Sequence, residues 1–154
     1  MDISSVQNLL ARWWFSYDEG RFDVWPDLIT DDVVFTCRTD TGATEFEDFV
    51  RADVRGRDDF LAWQRDHRGN SPYPLRHNGT NVHLTRAGDE QADFMSYLFV
   101  TQIVQGAVSN LSSGLCSGTA RVEGGAAKLA ALHVVLDTAD SVVFNTRQVG
   151  VAAP

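Results

Sequence analysis

A carboxylate and an imidazole are the side chains of this sequence best suited to proton transfer. Asp18 follows Tyr17 at the end of a helical pattern, and His77 opens a strand pattern over residues 75–81. A carboxylate bonded to one imidazole nitrogen fixes the tautomer of the ring and makes the other nitrogen a better general base. Gly79 shares a strand face with His77 and is expected to leave open space for a ligand. Such a pair would abstract a proton from carbon.

The same two residues also fit a purely structural interpretation. An Asp at the end of a helix is often a cap or a turn former, and a single strand histidine is often a hydrogen-bonded core residue. Positions 18 and 77 are far apart in the sequence, so their spacing does not show that they touch. Both interpretations stay open on this basis.

Other polar side chains on strand patterns are candidates for substrate binding. Tyr97 and Thr101 share one face of a central strand, where each could donate a hydrogen bond to a substrate carbonyl or simply line the core. His133 lies on a later strand, and a core or interface role is an equal alternative for it. Asn145 and Arg147 would close the pocket mouth or lie on the surface.

The remaining histidines, the cysteines and the glycines suggest no further chemistry. His67 at a helix end and His83 near a strand end are expected to face solvent. Cys37 and Cys116 have no CxxC motif and no nearby histidine pair, so we expect buried thiols instead of a zinc site or a disulfide. No GxGxxG, GxxxxGK[ST] or GxSxG motif occurs. The sequence therefore predicts no metal and no cofactor.

The helices that must position Asp18 come first in the chain. Ser4 or Ser5 is the predicted cap of the first helix, and Gly20 is its predicted end. A second short helix is predicted after Asp23, with Pro26 in its first turn. The apolar residues of the first helix recur at the spacing of one helical face, namely Val6, Leu9, Leu10, Trp13 and Tyr17.

The strands that must position His77 follow a third helix, which is predicted to begin at Arg57. From residue 75 onward the apolar period changes from 3.6 to 2. Helices first and strands later indicate an α+β protein with a mainly antiparallel sheet. The periodicity does not decide the structure of residues 40–54. Strands are predicted at 33–37, 75–86, 91–105, 115–123, 126–137 and 141–149, with turn clusters at 87–89, 106–114, 124–125 and 138–140.

Composition limits the partners of the chain. The 154 residues are expected to form a single domain over 1–154, with 44% hydrophobic and 22% charged residues. A net charge of −8 argues against nucleic acid and anionic membrane surfaces as partners. We find no membrane-span or signal-peptide pattern, so a cytoplasmic protein is expected. The segment at 91–105 is apolar on both faces, so one face is expected to pack against a second subunit or against the protein's own tail. The expected assembly is a homo-oligomer, a dimer or a trimer.

These residues resemble a known family. Residues 16–18, Ser-Tyr-Asp, followed by Asp-Asp-Val-Val-Phe at 31–35, are similar to the opening of SnoaL-like proteins of the nuclear-transport-factor-2-like superfamily. The run His-Asn-Gly-Thr-Asn-Val at 77–82 resembles the histidine strand of hexachlorocyclohexane dehydrochlorinase and, more loosely, of scytalone dehydratase. The similarity extends over about residues 6–149. It implies a cone-shaped curved sheet wrapped around N-terminal helices, with an apolar pocket inside.

The resemblance also implies roles for single residues. In those enzymes an aspartate of the first helix pairs with the strand histidine, which takes a proton from carbon while a hydroxyl or halide leaves. These roles fall on Asp18 and His77, and Tyr17 matches a tyrosine that assists in scytalone dehydratase. The second catalytic histidine of that enzyme falls near Thr101, which is a departure. The segment 106–125 is longer than usual and is expected to be a lid or an altered pocket wall.

The sequence thus predicts a cofactor-independent lyase or isomerase of dehydratase or cyclase type, with His77 as general base and Tyr17 or Tyr97 as donor to an oxyanion. Its substrate would be a hydrophobic small molecule of secondary metabolism, such as a polyketide. The alternatives are a non-catalytic small-molecule-binding or dimerisation module, and an epoxide hydrolase, which needs an Asp-Arg-Asp set. The residues predicted to line the pocket are Trp13, Phe35, Met95, Tyr97, Phe99, Thr101, His133, Val135 and Asn145.

Overall fold

The helices occupy the N-terminal part of the chain. In the computed structural model, which describes residues 1–146, α1 spans Ile3–Asp18, α2 spans Glu47–Val50 and α3 spans Arg57–Gly69. A 3₁₀ turn covers Trp25–Leu28. The N-cap of α1 is Asp2, whose side chain accepts a hydrogen bond from the backbone N of Ser5, so the predicted serine caps are wrong by two or three positions.

The strands form one six-stranded sheet. Its order is β2-β1-β6-β5-β4-β3, and all neighbours are antiparallel except β1 and β6. The predicted α+β class with a curved, mainly antiparallel sheet is confirmed. The strands are β1 (Ile29–Thr39), β2 (Ala52–Arg55), β3 (Leu75–Ala87), β4 (Gln91–Val104), β5 (Ala107–Glu123) and β6 (Ala126–Leu136).

Two predicted segments are wrong. The expected turn cluster at 106–114 belongs to β5 from Ala107 onward, because Gln105 and Gly106 both have positive φ and suffice as a two-residue turn. The strand expected at 141–149 is absent from residues 141–146, which include a 3₁₀ turn at Phe144–Thr146. β6 already has neighbours on both edges, so a further strand cannot pair beside it. Arg147 lies outside the described residues.

The two faces of the sheet have different surroundings. α1 and α3 cover the inner face, where Trp13, Trp25 and Phe60 are fully buried. β4 alternates across the sheet, so that Leu98 is buried inside and Tyr97 is 56% exposed outside. The main core and the site described next therefore lie between the helices and the inner face.

Candidate active site

A cavity of about 310 Å³ lies between the helices and the inner face of the sheet. Ligand pockets usually begin at about 300 Å³. Most of its wall is aromatic or aliphatic, and none of the described residues that line it is Asp, Glu, Lys or Arg. The aromatic part of the wall consists of Trp14, Tyr17, Phe35, Phe46, Phe49 and Trp63.

His77 lies at the wall of this cavity and is bound by Asp18. The backbone N of His77 donates to Oδ2 of Asp18 at 2.8 Å, and Nδ1 of the ring lies 2.6 Å from Oδ1. A carboxylate only accepts hydrogen bonds, so Nδ1 carries the proton and Nε2 holds the lone pair of the neutral ring. Asp18 is 4% exposed, which keeps water from competing for its oxygens. The predicted contact between Asp18 and His77 is therefore present.

Two aromatic rings fix the plane of the His77 imidazole. Trp14 stacks on it with ring centroids 4.8 Å apart and an interplanar angle of 5°. Tyr17 meets it edge-on at 5.0 Å. A Cβ at Gly79 would touch the Trp14 indole at 3.5 Å, so an indole occupies the space that we expected a ligand to use. The ring of His77 can therefore turn little without disturbing α1.

Arg68 of α3 fixes the end of α1. Its Nε donates to the carbonyl oxygens of Tyr17 at 3.0 Å and Asp18 at 3.1 Å, and Nη2 donates to that of Asp18 at 2.7 Å. Nη1 reaches the carbonyl oxygens of Ser71 at 3.4 Å and Pro72 at 3.2 Å, in the loop that leads to β3. The last carbonyls of a helix lack partners within the helix and attract cations. One buried side chain thus connects both elements that carry the Asp18–His77 pair.

A second imidazole, that of His67, also lines the cavity. Its Nδ1 lies 2.5 Å from Oη of Tyr17. The ring is stacked with Trp63 at a centroid distance of 4.6 Å and contacts Phe49 at 4.5 Å. The expectation that His67 faces solvent is therefore wrong. The signal for its position was present, since His67 follows Phe60 by seven residues on the apolar face of α3.

Burial sets the protonation of this second pair. Burial lowers the pKa of His67 to about 4; His77, whenever its ring is protonated, and Arg68 lower it further, while the carboxylate of Asp66 opposes them. Burial also raises the pKa of Tyr17 well above its usual range. At neutral pH the imidazole of His67 is therefore uncharged and the phenol of Tyr17 keeps its proton.

Most of the predicted substrate-binding residues of β4 lie on the other face of the sheet. Leu98 lines the cavity, so its alternating neighbours point outward. These neighbours are Met95, Tyr97, Phe99 and Thr101, and none of them lines the cavity. Phe99 instead lines a second groove, between β3 and the outer side of α1, which His77 and Asp18 also line. The expectation that Met95, Tyr97 and Thr101 line one pocket with His77 is wrong, and Phe99 shares with it only this outer groove.

The other predicted pocket residues are divided between four places. Phe35 lines the cavity. Trp13 lies behind the wall in the core, 0% exposed. His133 bonds through Nδ1 to Thr36 Oγ1 at 2.8 Å on the outer face, where burial lowers its pKa, and Val135 does not line the cavity. Asn145 is exposed in the final 3₁₀ turn, where no strand forms to carry it to the cavity.

The mouth of the cavity is built from α2 and the start of β5. Phe46 and Phe49 line the cavity and are 45% and 44% exposed. Glu47 fixes α2 to β1, because its carboxylate accepts hydrogen bonds from the backbone N and the hydroxyl of Thr39. Leu111 of β5 is half exposed at the same rim. The segment 106–125 was expected to be a lid or an altered pocket wall, and part of it is a wall of the cavity.

The described chain offers no set of metal ligands. Among residues 1–146 no group of three or more His, Cys, Asp or Glu side chains is arranged to hold a metal ion. Cys37 and Cys116 are buried free thiols, as expected, and burial raises the pKa of each to about 12.

Within residues 1–146, no helix has the length and apolarity needed to cross a membrane.

Comparison with known proteins identifies the fold. A family model described as a SnoaL-like domain matches residues 1–139. A protein of unknown function from Mycobacterium tuberculosis is 19% identical over 96% of this chain and 85% of its own, with a TM-score of 0.70. An NTF2-like protein with a cystatin-like fold from Novosphingobium aromaticivorans is 18% identical over 86% and 80%, with a TM-score of 0.67.

A third similar structure is a subunit of a larger enzyme. The beta subunit of the benzoate 1,2-dioxygenase from Burkholderia mallei is 21% identical over 88% of this chain and 91% of its own, with a TM-score of 0.66. At these identities the three likenesses establish a shared fold and nothing finer. The comparison with curated protein sequences gave no match.

Proposed function

The chain belongs to the SnoaL-like domain family, and on that premise we propose that it is a cofactor-independent lyase or isomerase that abstracts a proton from carbon. His77 is the general base, and Asp18 orients it. The observation that carries the proposal is the pair of hydrogen bonds between Asp18 and His77 at the wall of an apolar cavity. SnoaL-like domains include polyketide cyclases and dehydratases.

The proposed step uses the lone pair on Nε2 of His77. This nitrogen takes a proton from a carbon next to a carbonyl group, and the electrons of the broken C–H bond form a C=C bond, which leaves negative charge on the carbonyl oxygen. The buried carboxylate of Asp18 stabilises the imidazolium that results. The imidazolium of His77 then returns this proton to a different carbon of a conjugated enolate, which gives isomerisation, or gives it to a hydroxyl group on the next carbon, so that the C–O bond breaks, water leaves and an unsaturated ketone forms, which is dehydration. General base catalysis of this kind contributes about 10² to 10⁴ in rate.

The lining of the cavity limits the substrate to neutral, hydrophobic molecules. A carboxylate or phosphate placed inside would lose its hydration without an opposite charge in the described wall, at a cost of several kcal/mol or more. The indole of Trp14 and the rings of Phe35 and Trp63 provide flat apolar surface. An aromatic or polycyclic ketone matches both properties.

The epoxide hydrolase alternative has less support. That chemistry needs a carboxylate free to activate water, together with an arginine. Both oxygens of Asp18 already accept hydrogen bonds from His77, and the described lining contains no other carboxylate and no arginine. A binding module without chemistry remains the competing hypothesis, and a test of turnover separates the two.

The experiment uses 2-tetralone, a neutral bicyclic ketone with an exchangeable C–H next to its carbonyl. We expect the wild-type protein to accelerate deuterium exchange at that carbon in D₂O, followed by NMR. His77→Gln should lose about 10²-fold or more of the acceleration. His83→Gln is the matched control, because His83 lies exposed on the same strand. Equal exchange rates in the wild type and His77→Gln, with 2-tetralone still bound, would establish a binding module.

A further inference from the structure

His67 presents a buried hydrogen-bonding atom that nothing in the described structure satisfies. Its Nε2 is shielded from solvent and has no partner among residues 1–146. Its other ring nitrogen, Nδ1, is occupied by Tyr17 at 2.5 Å. Buried polar atoms in native proteins are nearly always paired, so an orphan on a ring that lines a cavity points to a group that binds beside that ring.

The contact with Tyr17 decides whether Nε2 of His67 is a hydrogen-bond donor or an acceptor. A neutral imidazole has one N–H and one lone pair. The phenol of Tyr17 keeps its proton, since burial raises its pKa, and a phenol donates readily to an imidazole nitrogen. When Tyr17 donates to Nδ1, the single ring proton of His67 must lie on Nε2. The orphan atom is then a donor that needs an oxygen acceptor.

We propose that Nε2–H of His67 binds the carbonyl oxygen of the ligand, and that Tyr17 holds His67 in the tautomer that makes this possible. The proposal rests on the proposed function in taking the same cavity as the ligand site, and it adds that the substrate is a neutral ketone. It also reassigns the predicted oxyanion donor. Tyr17 spends its hydroxyl on His67, and Tyr97 lies on the outer face.

Other polar side chains of the cavity are weaker candidates for this role. The hydroxyl of Ser71 donates to the carbonyl oxygen of His67 at 2.7 Å and is therefore in use. Gln64 also lines the cavity, but an amide offers a donor and an acceptor together and does not select a ketone. Trp63 and Phe49 additionally hold the plane of the His67 ring between them.

The test compares the binding of 2-tetralone with that of tetralin, the hydrocarbon of nearly the same shape. Trp14 and Trp63 line the cavity, so their fluorescence reports binding of either compound. We expect the preference for the ketone, expressed as the ratio of the two Kd values, to fall about tenfold in His67→Phe. Gln64→Met and His83→Phe should keep the wild-type ratio. An unchanged ratio in His67→Phe, or its loss in Gln64→Met, would overturn the proposal.

A second measurement needs no variant and guards against a His67→Phe protein that fails to fold. In ¹⁵N-labelled wild type, NMR of the imidazole nitrogens should show His67 protonated on Nε2 only. Addition of 2-tetralone should shift the Nε2 signal, and tetralin should not. A proton found on Nδ1 would contradict the proposal. Absence of deuterium exchange with these results intact would sink the His77 mechanism and leave the His67 assignment standing.

Discussion

Two histidines line one cavity, and the last two residues of α1 give them opposite properties. Asp18 accepts from Nδ1 of His77, so that ring keeps its proton on Nδ1 and presents a lone pair on Nε2. Tyr17 donates to Nδ1 of His67 in the tautomer we propose, so that ring presents a proton on Nε2. We therefore propose the same type of side chain as a base at one end of the site and as a hydrogen-bond donor at the other.

In the proposed tautomers, the partner at Nδ1 decides which ring nitrogen carries the proton, whereas burial decides that His67 is uncharged at neutral pH. Both rings are held by aromatic contacts, Trp14 for His77 and Trp63 for His67. The atom that faces Nδ1 differs, an acidic acceptor in one case and a phenolic donor in the other. Changes to these partners are therefore the sharpest way to test the comparison.

The largest effect is expected for Asp18→Asn. The backbone N–H of His77 cannot give up its hydrogen, so the amide would turn its oxygen there and its NH₂ toward Nδ1. That forces the ring proton onto Nε2 and makes both histidines donors. We expect about a 10³-fold loss of deuterium exchange with 2-tetralone. Glu19→Gln, at the adjacent surface carboxylate that pairs with Arg76, should retain exchange. Full activity in Asp18→Asn would refute the role of this pair.

Arg68→Met is expected to reduce deuterium exchange less than Asp18→Asn does. It should, however, lower the free energy of unfolding strongly. The variant keeps an unbranched apolar stem but leaves the carbonyl oxygens of Tyr17 and Asp18 without a buried partner. We expect the free energy of unfolding in urea to fall by about 3 kcal/mol. Arg65→Met, on the exposed side of the same helix, is the control. If the two variants are equally stable, Arg68 does not hold the end of α1.

The next largest effect is expected in the pH dependence of stability, which tests whether His67 is uncharged in the folded protein. The folded pKa of His67 is lowered to about 4 from the usual 6.5, so the unfolded chain binds this proton more readily than the folded one. Stability from this group is complete above about pH 6.5 and is lost as the pH falls toward 4. We expect the wild type to lose about 2 kcal/mol more than His67→Phe between pH 7 and pH 4, measured by urea unfolding. Parallel curves would contradict a neutral buried His67.

The smallest effect is expected for Tyr17→Phe. The loss of one hydrogen bond should cost about 1 kcal/mol of stability. In imidazole NMR, His67 should become a mixture of tautomers, whereas His77 should not change, since its partner is Asp18. Tyr73→Phe is the control, because the hydroxyl of Tyr73 only reaches the surface residue Glu19. A single unchanged His67 tautomer would show that Tyr17 does not set it.

The sequence predicted the base side of the site better than the donor side. The contact of Asp18 with His77 was predicted because the residues resemble a known family, not because of their spacing. The position of His67 depends on Phe49, in a segment whose periodicity decides nothing, and only packing brings the two rings together. The period of α3 places His67 on the apolar face of that helix, but it does not say which ring of residues 40–54 will cover it.

The sheet shows a different limit of sequence reasoning. A period of 2 correctly places Met95, Tyr97 and Phe99 on one face of β4, but it does not say which face the helices cover. A shift of one residue exchanges the inner and outer sets, so the wrong choice misplaced all of them at once. The helix pattern of α1 had no such ambiguity, because its polar side has to face water.

Tyr17 and Asp18 follow one another in the last turn of α1, so the site depends on the rotation of that turn about the helix axis. Each residue added to or removed from a helix rotates everything after it by about 100°. A deletion at one of the exposed positions of α1, such as Gln7 or Arg12, would turn both side chains away from their histidines together. The number of residues in α1 therefore fixes the direction in which Tyr17 and Asp18 point. The types of the exposed residues of α1 do not affect that direction.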